Sequence, residues 1–177
     1  MKSLDVKGTA RTATGKKASR EIRKSGAVPC NLYGEAKGEN GLPKALSFSA
    51  TQEELRKLVY SPDIYSVNLN IDGKECKAVM KELQFHPVTD KLLHVDFYEI
   101  TENKPIVMEV PIKLNGLAEG VRAGGKLAAS VRKLKVRAPY TAIPERLDID
   151  VTNLGLGKTI KVGELSFEGL ELVTSHS

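Results

Sequence analysis

Residues Ile64–Leu83 read IYSVNLNIDGKECKAVMKEL. At its centre Asp72-Gly73 is a pair favoured by two-residue hairpin turns, because both central positions then need positive φ angles that Gly, Asn and Asp tolerate. Ile64–Ile71 and Glu75–Leu83 flank the pair as strands, so the stretch predicts an antiparallel hairpin. Upstream, Ser49 followed three residues later by Gln52 fits a capping box, and Leu55, Leu58 and Val59 form an apolar stripe behind it, which predicts a helix. Leu4 and Val6 sit at strand spacing, so residues 4–12 are expected to open the chain as a strand. Lys16–Lys24 reads as a short helix with Ala18 and Ile22 on one side and Gly26 ending it. Val28–Tyr33 then reads as a strand and the glycine-rich Gly34–Gly41 as a loop. The first half is therefore expected to be mostly β with two or more helices.

Downstream, Glu99–Lys104 (EITENK) is polar and precedes Pro105, which makes it the linker between a domain of residues 1–98 and a second one of residues 105–177. The second contains short β-type runs, Ile106–Leu114, Val131–Ala138 and Leu147–Val151, punctuated by Gly and Pro, and is expected to be all-β. The fold class is thus mainly β with some α. A length of 177 residues, 41% of them hydrophobic, suffices for one large core or two small ones. No run of about 18 apolar residues is present to span a bilayer, and MKSLDVKG lacks the apolar core of a secretory signal. The expected location is the cytoplasm, with no membrane partner.

Charge is distributed unevenly. Residues 1–98 carry 16 Lys and Arg against 12 Asp and Glu, whereas residues 99–177 carry 11 against 10. Five cations, Lys16, Lys17, Arg20, Arg23 and Lys24, share the ten residues from Gly15 to Lys24 with one acid, Glu21. Such a face attracts a polyanion, either nucleic-acid phosphates or an anionic membrane. On the helix, Lys16, Arg20 and Arg23 or Lys24 recur at spacings of three and four, on a side away from Ala18 and Ile22. They can grip successive phosphates, each contributing through counterion release; a merely solvated helix face is the alternative.

His94 and Asp96 lie two apart on an apparent strand and share a face, while Leu93, Val95 and Phe97 point into the core. The carboxylate can fix the histidine tautomer, the two can present an acceptor and a donor to bases or ribose, or they can form a structural polar pair. A hydrolase using His94 and Asp96 lacks a nucleophile motif, as no G-x-S-x-G elbow occurs. Three histidines, including His86 and His176, show no metal spacing, and Cys30 and Cys76 are expected to be buried free thiols; neither a metal nor another cofactor is indicated. Gly155-Leu-Gly157-Lys158-Thr159 imitates a phosphate-binding loop but has Thr152 where that motif needs Gly, so it reads as a turn. Tyr33 either stacks on or hydrogen-bonds to a nucleotide, or fills the domain edge.

Arg11, Gly15-Lys16, Ala18-Ser19-Arg20, Arg23, Val28-Pro29, Leu32-Tyr33-Gly34, Gln84, His86-Pro87 and Leu93–Phe97 together resemble the bacterial ribosomal protein family L-twenty-five in its long form, the general stress protein CTC. Looser features of the second half, Gly120, Gly124-Gly125, Ile143-Pro144 and Asp150, fit the long form's second domain. The resemblance implies an N-terminal β-barrel that binds 5S ribosomal RNA around loop E, in the central protuberance of the large ribosomal subunit. It also implies an RNA face of Arg11, Lys16, Ser19, Arg20, Arg23, Tyr33, Gln84, His94 and Asp96. The cations would meet phosphates, and Tyr33, Gln84, His94 and Asp96 would meet ribose and base edges. Neighbouring ribosomal proteins or other ribosomal RNA would meet the C-terminal domain. A stress-induced RNA or tRNA binder acting off the ribosome is the alternative the resemblance leaves open. Two departures stand out. Cys30-Asn31 replaces small or aliphatic residues, a change expected to affect strand packing and not the RNA face. The chain stops at Ser177, short of the family's closing strand, so either the chain is expected to be truncated there or the second barrel is expected to close differently.

Overall fold

A computed structural model of the protein describes residues 2–37 and 43–174. Contacts divide the chain into two compact units, one of residues 2–61 and 65–101, the other of residues 62–64 and 102 onward. The sheet of the first closes into a six-stranded barrel built from β1 (Lys2–Ala10), β2 (Ala27–Lys37), β3 (Pro43–Thr51), β4 (Tyr65–Ile71), β5 (Lys74–Phe85) and β6 (Leu92–Glu99). Around the barrel the order is β1-β3-β2-β6-β5-β4, with β1 returning to β4 in parallel. Alternation decides which face of each strand is inside: Val28, Cys30 and Leu32 of β2, Val67, Leu69 and Ile71 of β4, and Val95 and Phe97 of β6 are all buried. Phe48 and Phe97 meet in the centre with ring centroids 5.8 Å apart. Phe48 crosses so close to Gly8 that a Cβ there would lie 2.6 Å from its ring, so β1 needs a residue without a side chain at that point.

The hairpin forms as its turn chemistry predicts. Asp72 and Gly73 adopt φ of 48° and 85°, and Ile71 faces Lys74 directly across a two-residue loop. Helix α1 (Lys16–Lys24) packs on β2, and α2 (Gln52–Val59) sends Leu55 and Leu58 into the barrel core. The cap of α2 differs from expectation. Ser49 remains inside β3, paired with Thr9 and Pro29, and Thr51 is the capping residue, its Oγ1 accepting from the Glu54 N–H at 3.4 Å. Because β3 continues for two residues past Ser49, the Ser-x-x-Gln signature falls too early to meet the helix. Residues 34–37 are strand instead of loop, and the rest of the expected loop, 38–42, lies outside the described residues. The stretch expected to be a linker begins inside the barrel: Glu99 belongs to β6, and buried Ile100 donates its N–H to the Lys77 carbonyl at 2.9 Å.

The second unit holds a four-stranded sheet in the order β10-β8-β7-β9, from β7 (Pro105–Asn115), β8 (Lys133–Pro139), β9 (Leu147–Asp150) and β10 (Glu171–Leu172). Alternate residues of β7 and β8, among them Ile106, Met108, Val110, Leu134 and Val136, are buried on one face. Two details depart from the sequence reading. A short helix α3 (Glu119–Arg122) follows β7, its Gly120 seated against the backbone of Gly155. Strand β8 begins at Lys133, not Val131, because its ladder with β7 ends at the Pro111–Lys133 pair. Residues 155–158 form a turn, held by the Lys158 N–H to the Gly155 carbonyl, as the imperfect phosphate-loop pattern suggested. No helix among the described residues is long and apolar enough to cross a membrane.

Candidate nucleic-acid interface

Helix α1 begins after Gly15, whose φ of 103° turns the chain, and lacks both an acid in its first turn and a side-chain cap. Lys16 and Lys17 instead occupy that turn, where the positive end of the helix dipole disfavours cations. Ala18 and Ile22 are half-buried, and Lys16, Lys17, Arg20, Arg23 and Lys24 are exposed. Arg23 and Lys24 lie in the last turn, where the dipole favours cations, but Lys16 and Lys17 put charge where the helix gains nothing from it, and an anion would relieve that repulsion.

Two arginines fasten this helix to the barrel. The Arg11 backbone N–H donates to the Ser47 carbonyl at 2.9 Å, while its guanidinium donates to the Ala13 carbonyl at 3.2 Å and to Ser19 Oγ at 3.4 Å. Arg23 Nε donates to the Leu93 carbonyl at 3.0 Å. That carbonyl is available because β6 bulges. Gln84 pairs with His94 and Phe85 with Leu92, which leaves Leu93 as the extra residue. The bulge also corrects the expected inward set of β6. Leu92 takes the core position and Leu93 is only half-buried, its side chain displaced by the added residue.

Immediately beyond the bulge, His94 Nδ1 lies 3.3 Å from Asp96 Oδ1, both side chains about one-fifth exposed at 20% and 18%. The contact lacks hydrogen-bond alignment, and among the described residues Asp96 Oδ1 has no hydrogen-bond partner, nor has Arg11 Nε. Burial pushes the Asp96 carboxyl above its usual range; His94 opposes this and Glu82 reinforces it. Two polar atoms withdrawn from water without partners are a cost that a ligand or an ordered water can remove.

Strand register places the remaining candidates. Gln84 is exposed on β5 opposite His94, and Tyr33 of β2 lies between Ala45 and Tyr98. Arg11, Ser19, Arg23, Gln84, His94 and Asp96 are thus joined through direct bonds or adjacent register positions. Lys16 and Arg20 share the helix, but their side chains make no hydrogen bond or ion pair among the described residues. Tyr33 stands two residues along β2 from Asn31, on the same face.

Sequence reasoning missed four neighbours. Asn31 pairs in register with Asp96 on one side and Ser47 on the other, and Ser47 Oγ bonds Asn31 Oδ1 at 3.0 Å. Of the Cys30-Asn31 departure, Cys30 is fully buried in the barrel core, whereas Asn31 lies on the candidate face; its position between buried Cys30 and Leu32 was the available signal. Lys81 is the extra residue of a second bulge, between Met80 and Glu82, and its Nζ sits 5.3 Å from the centroid of the Tyr98 ring, a cation–π contact. No local pattern announces that bulge. His86 proves structural: its Nδ1 accepts from the N–H groups of Val88 and Thr89, both at 3.2 Å, and shapes the β5–β6 turn.

Comparison with known proteins covers both units. A family model described as the Ribosomal L25p family matches residues 6–97, and one described as the C-terminal domain of ribosomal protein TL5 matches residues 105–177. The large ribosomal subunit protein bL25 of Phocaeicola vulgatus is 67% identical over 175 residues, covering 99% of this chain and 88% of that protein. Its counterparts in Bacteroides thetaiotaomicron and Porphyromonas gingivalis are 58% identical over 180 residues and 53% over 178, covering 99% and 100% of this chain and 88% and 90% of theirs.

Proposed function

Because the chain belongs to the ribosomal L25p family, in the two-domain form that carries a TL5-type C-terminal domain, we propose that its barrel binds 5S ribosomal RNA through the face formed by α1, β2, β5 and β6. The family is one of large-subunit ribosomal proteins, not of enzymes, so the protein acts as a structural component of the cytoplasmic ribosome. The finer reading is contact with the loop E region, in the central protuberance.

The observation that carries it is the bond from Arg23 to the Leu93 carbonyl, which holds the basic helix beside His94 and Asp96. Arg20, Arg23 and Lys16 supply phosphate contacts whose strength falls with salt. His94, Asp96, Gln84 and Asn31 supply donors and acceptors for ribose and base edges in the wide minor groove of an RNA helix. Asp96 would be repelled by phosphate, so its use is as an acceptor for a base amino group or as an orienting partner of His94.

A gel-shift titration of 5S ribosomal RNA and of an unrelated RNA duplex, at several salt concentrations, tests the division of labour. Arg20→Ala should weaken both complexes and lower the slope of log K against log salt by about 0.7 to 0.9, the loss of one phosphate contact. His94→Ala should weaken the 5S complex selectively. Equal losses on both RNAs for His94→Ala would refute the reading.

A further inference from the structure

The second unit exposes a groove of about 550 Å³ that the RNA reading does not use. Its floor includes Leu134, Ile149 and Val151, which belong to the sheet and the turn after it. On its rim stand Leu127, Val131, Leu156 and Ile160, exposed by 39%, 37%, 61% and 39%. Four large apolar side chains around one concavity form a patch of the kind that marks a docking site.

Two further features specify the occupant. Among the described residues Lys126, Lys158 and Lys161 line the groove and no Asp or Glu does, so a partner gains from negative charge. No aromatic ring and no arginine among the described residues lines it either, which leaves none of them for bases to stack on or to hold phosphates in bidentate fashion. The second feature is backbone. Residues 126–131 are neither helix nor strand and make no hydrogen bond among the described residues. They are nonetheless held at both ends, by the Gly125 N–H on the Gly120 carbonyl at 2.8 Å and by the Arg132 carbonyl accepting from Ile112 at 3.0 Å. Gly125 also lies so close to Leu156 and Gly120 that a Cβ would approach them to 2.5 and 2.7 Å, which closes one wall of the groove. An anchored run of unpaired N–H and C=O groups beside an apolar trough suits a polypeptide strand, which supplies backbone partners and alternate side chains together.

We propose that this groove receives an extended segment of another protein, pairing with residues 126–131, with apolar side chains directed into the trough and acidic ones toward Lys126, Lys158 and Lys161. A second copy docked face to face through the same groove would set the same lysines against one another.

The test is an amide-resolved NMR titration of the full chain with an acetylated heptapeptide in which glutamate alternates with valine. Saturable shifts should centre on residues 126–131 and 159–161. Leu156→Asp, a change at an exposed position, should weaken binding roughly tenfold or more, as loss of an apolar anchor does, and the paired change Lys158→Glu with Lys161→Glu should do the same. A peptide with lysine in place of glutamate should leave these amides unmoved. The proposal is overturned by the absence of a saturable shift, by equal binding of the lysine peptide, or by a uridine octanucleotide moving the same amides. Concentration-dependent shifts of those amides without peptide would overturn it in favour of self-association.

Discussion

Asp96 has the most conflicted surroundings of any side chain on the candidate face. Burial and Glu82 raise its pKa, while His94 lowers it by less. A carboxyl whose pKa is higher in the folded than in the unfolded chain adds stability below the unfolded value and loses it as pH rises through the folded one. At neutral pH the ionised group therefore works against folding. Asp96→Asn should raise the melting temperature at pH 7, with the advantage shrinking as pH falls through the carboxylate range, while it reduces discrimination between 5S RNA and a random duplex. Thermal melts followed by circular dichroism from pH 4 to pH 8, beside the gel shifts, check both halves; a lower melting temperature at pH 7 would contradict the first. Cys30 is the opposite kind of residue. It is fully buried and its thiol is pushed up to about 12, so the packing role read from its isolation in the sequence stands.

At the scale of elements, α1 is too short to persist alone, since a helix of nine residues recovers little of its nucleation cost. The small apolar side of Ala18 and Ile22 and the two arginine bonds hold it to the barrel. Arg23 thus has two functions where Arg20 has one: it carries charge and fixes where the charge lies. Arg23→Gln should lower the salt slope as much as Arg20→Gln does, yet cost more discrimination between 5S RNA and a duplex, because it also frees the helix from β6. Parallel gel shifts of the two variants measure the difference. Both helices and the hairpin were legible beforehand, since Asp72-Gly73 and the apolar spacing of α2 are local signals. The bulge at Leu93 was not, because the extra residue is defined only by which β5 residues stand opposite it. The cap of α2 was misread for a related reason. Whether Ser49 or Thr51 ends the strand depends on pairing with β1 and β2, which a window of four residues does not contain.

At the scale of the whole molecule, the proposed RNA contact predicts that removing charge from the two units has different effects. Lys16→Ala with Arg20→Ala should lower the salt slope of 5S RNA binding by roughly two phosphate contacts, whereas Lys113→Ala with Lys133→Ala, at exposed positions of the second sheet, should leave it unchanged. Fluorescence-anisotropy titrations across a salt series would show this, and equal effects would mean that both units bind the RNA. Composition and alternation by themselves determined that this is a β-rich chain with a basic start, a hairpin at Asp72-Gly73 and outward-facing His94 and Asp96, because these follow from local backbone preference and a period of two. Only the tertiary structure decided that Arg23 reaches Leu93 across 70 residues of chain, that Asn31 stands beside Asp96, and that an apolar groove opens between residues 126–131 and 156–161. Those juxtapositions depend on barrel closure and strand register, and contacts between distant segments leave no periodic trace in the segments themselves.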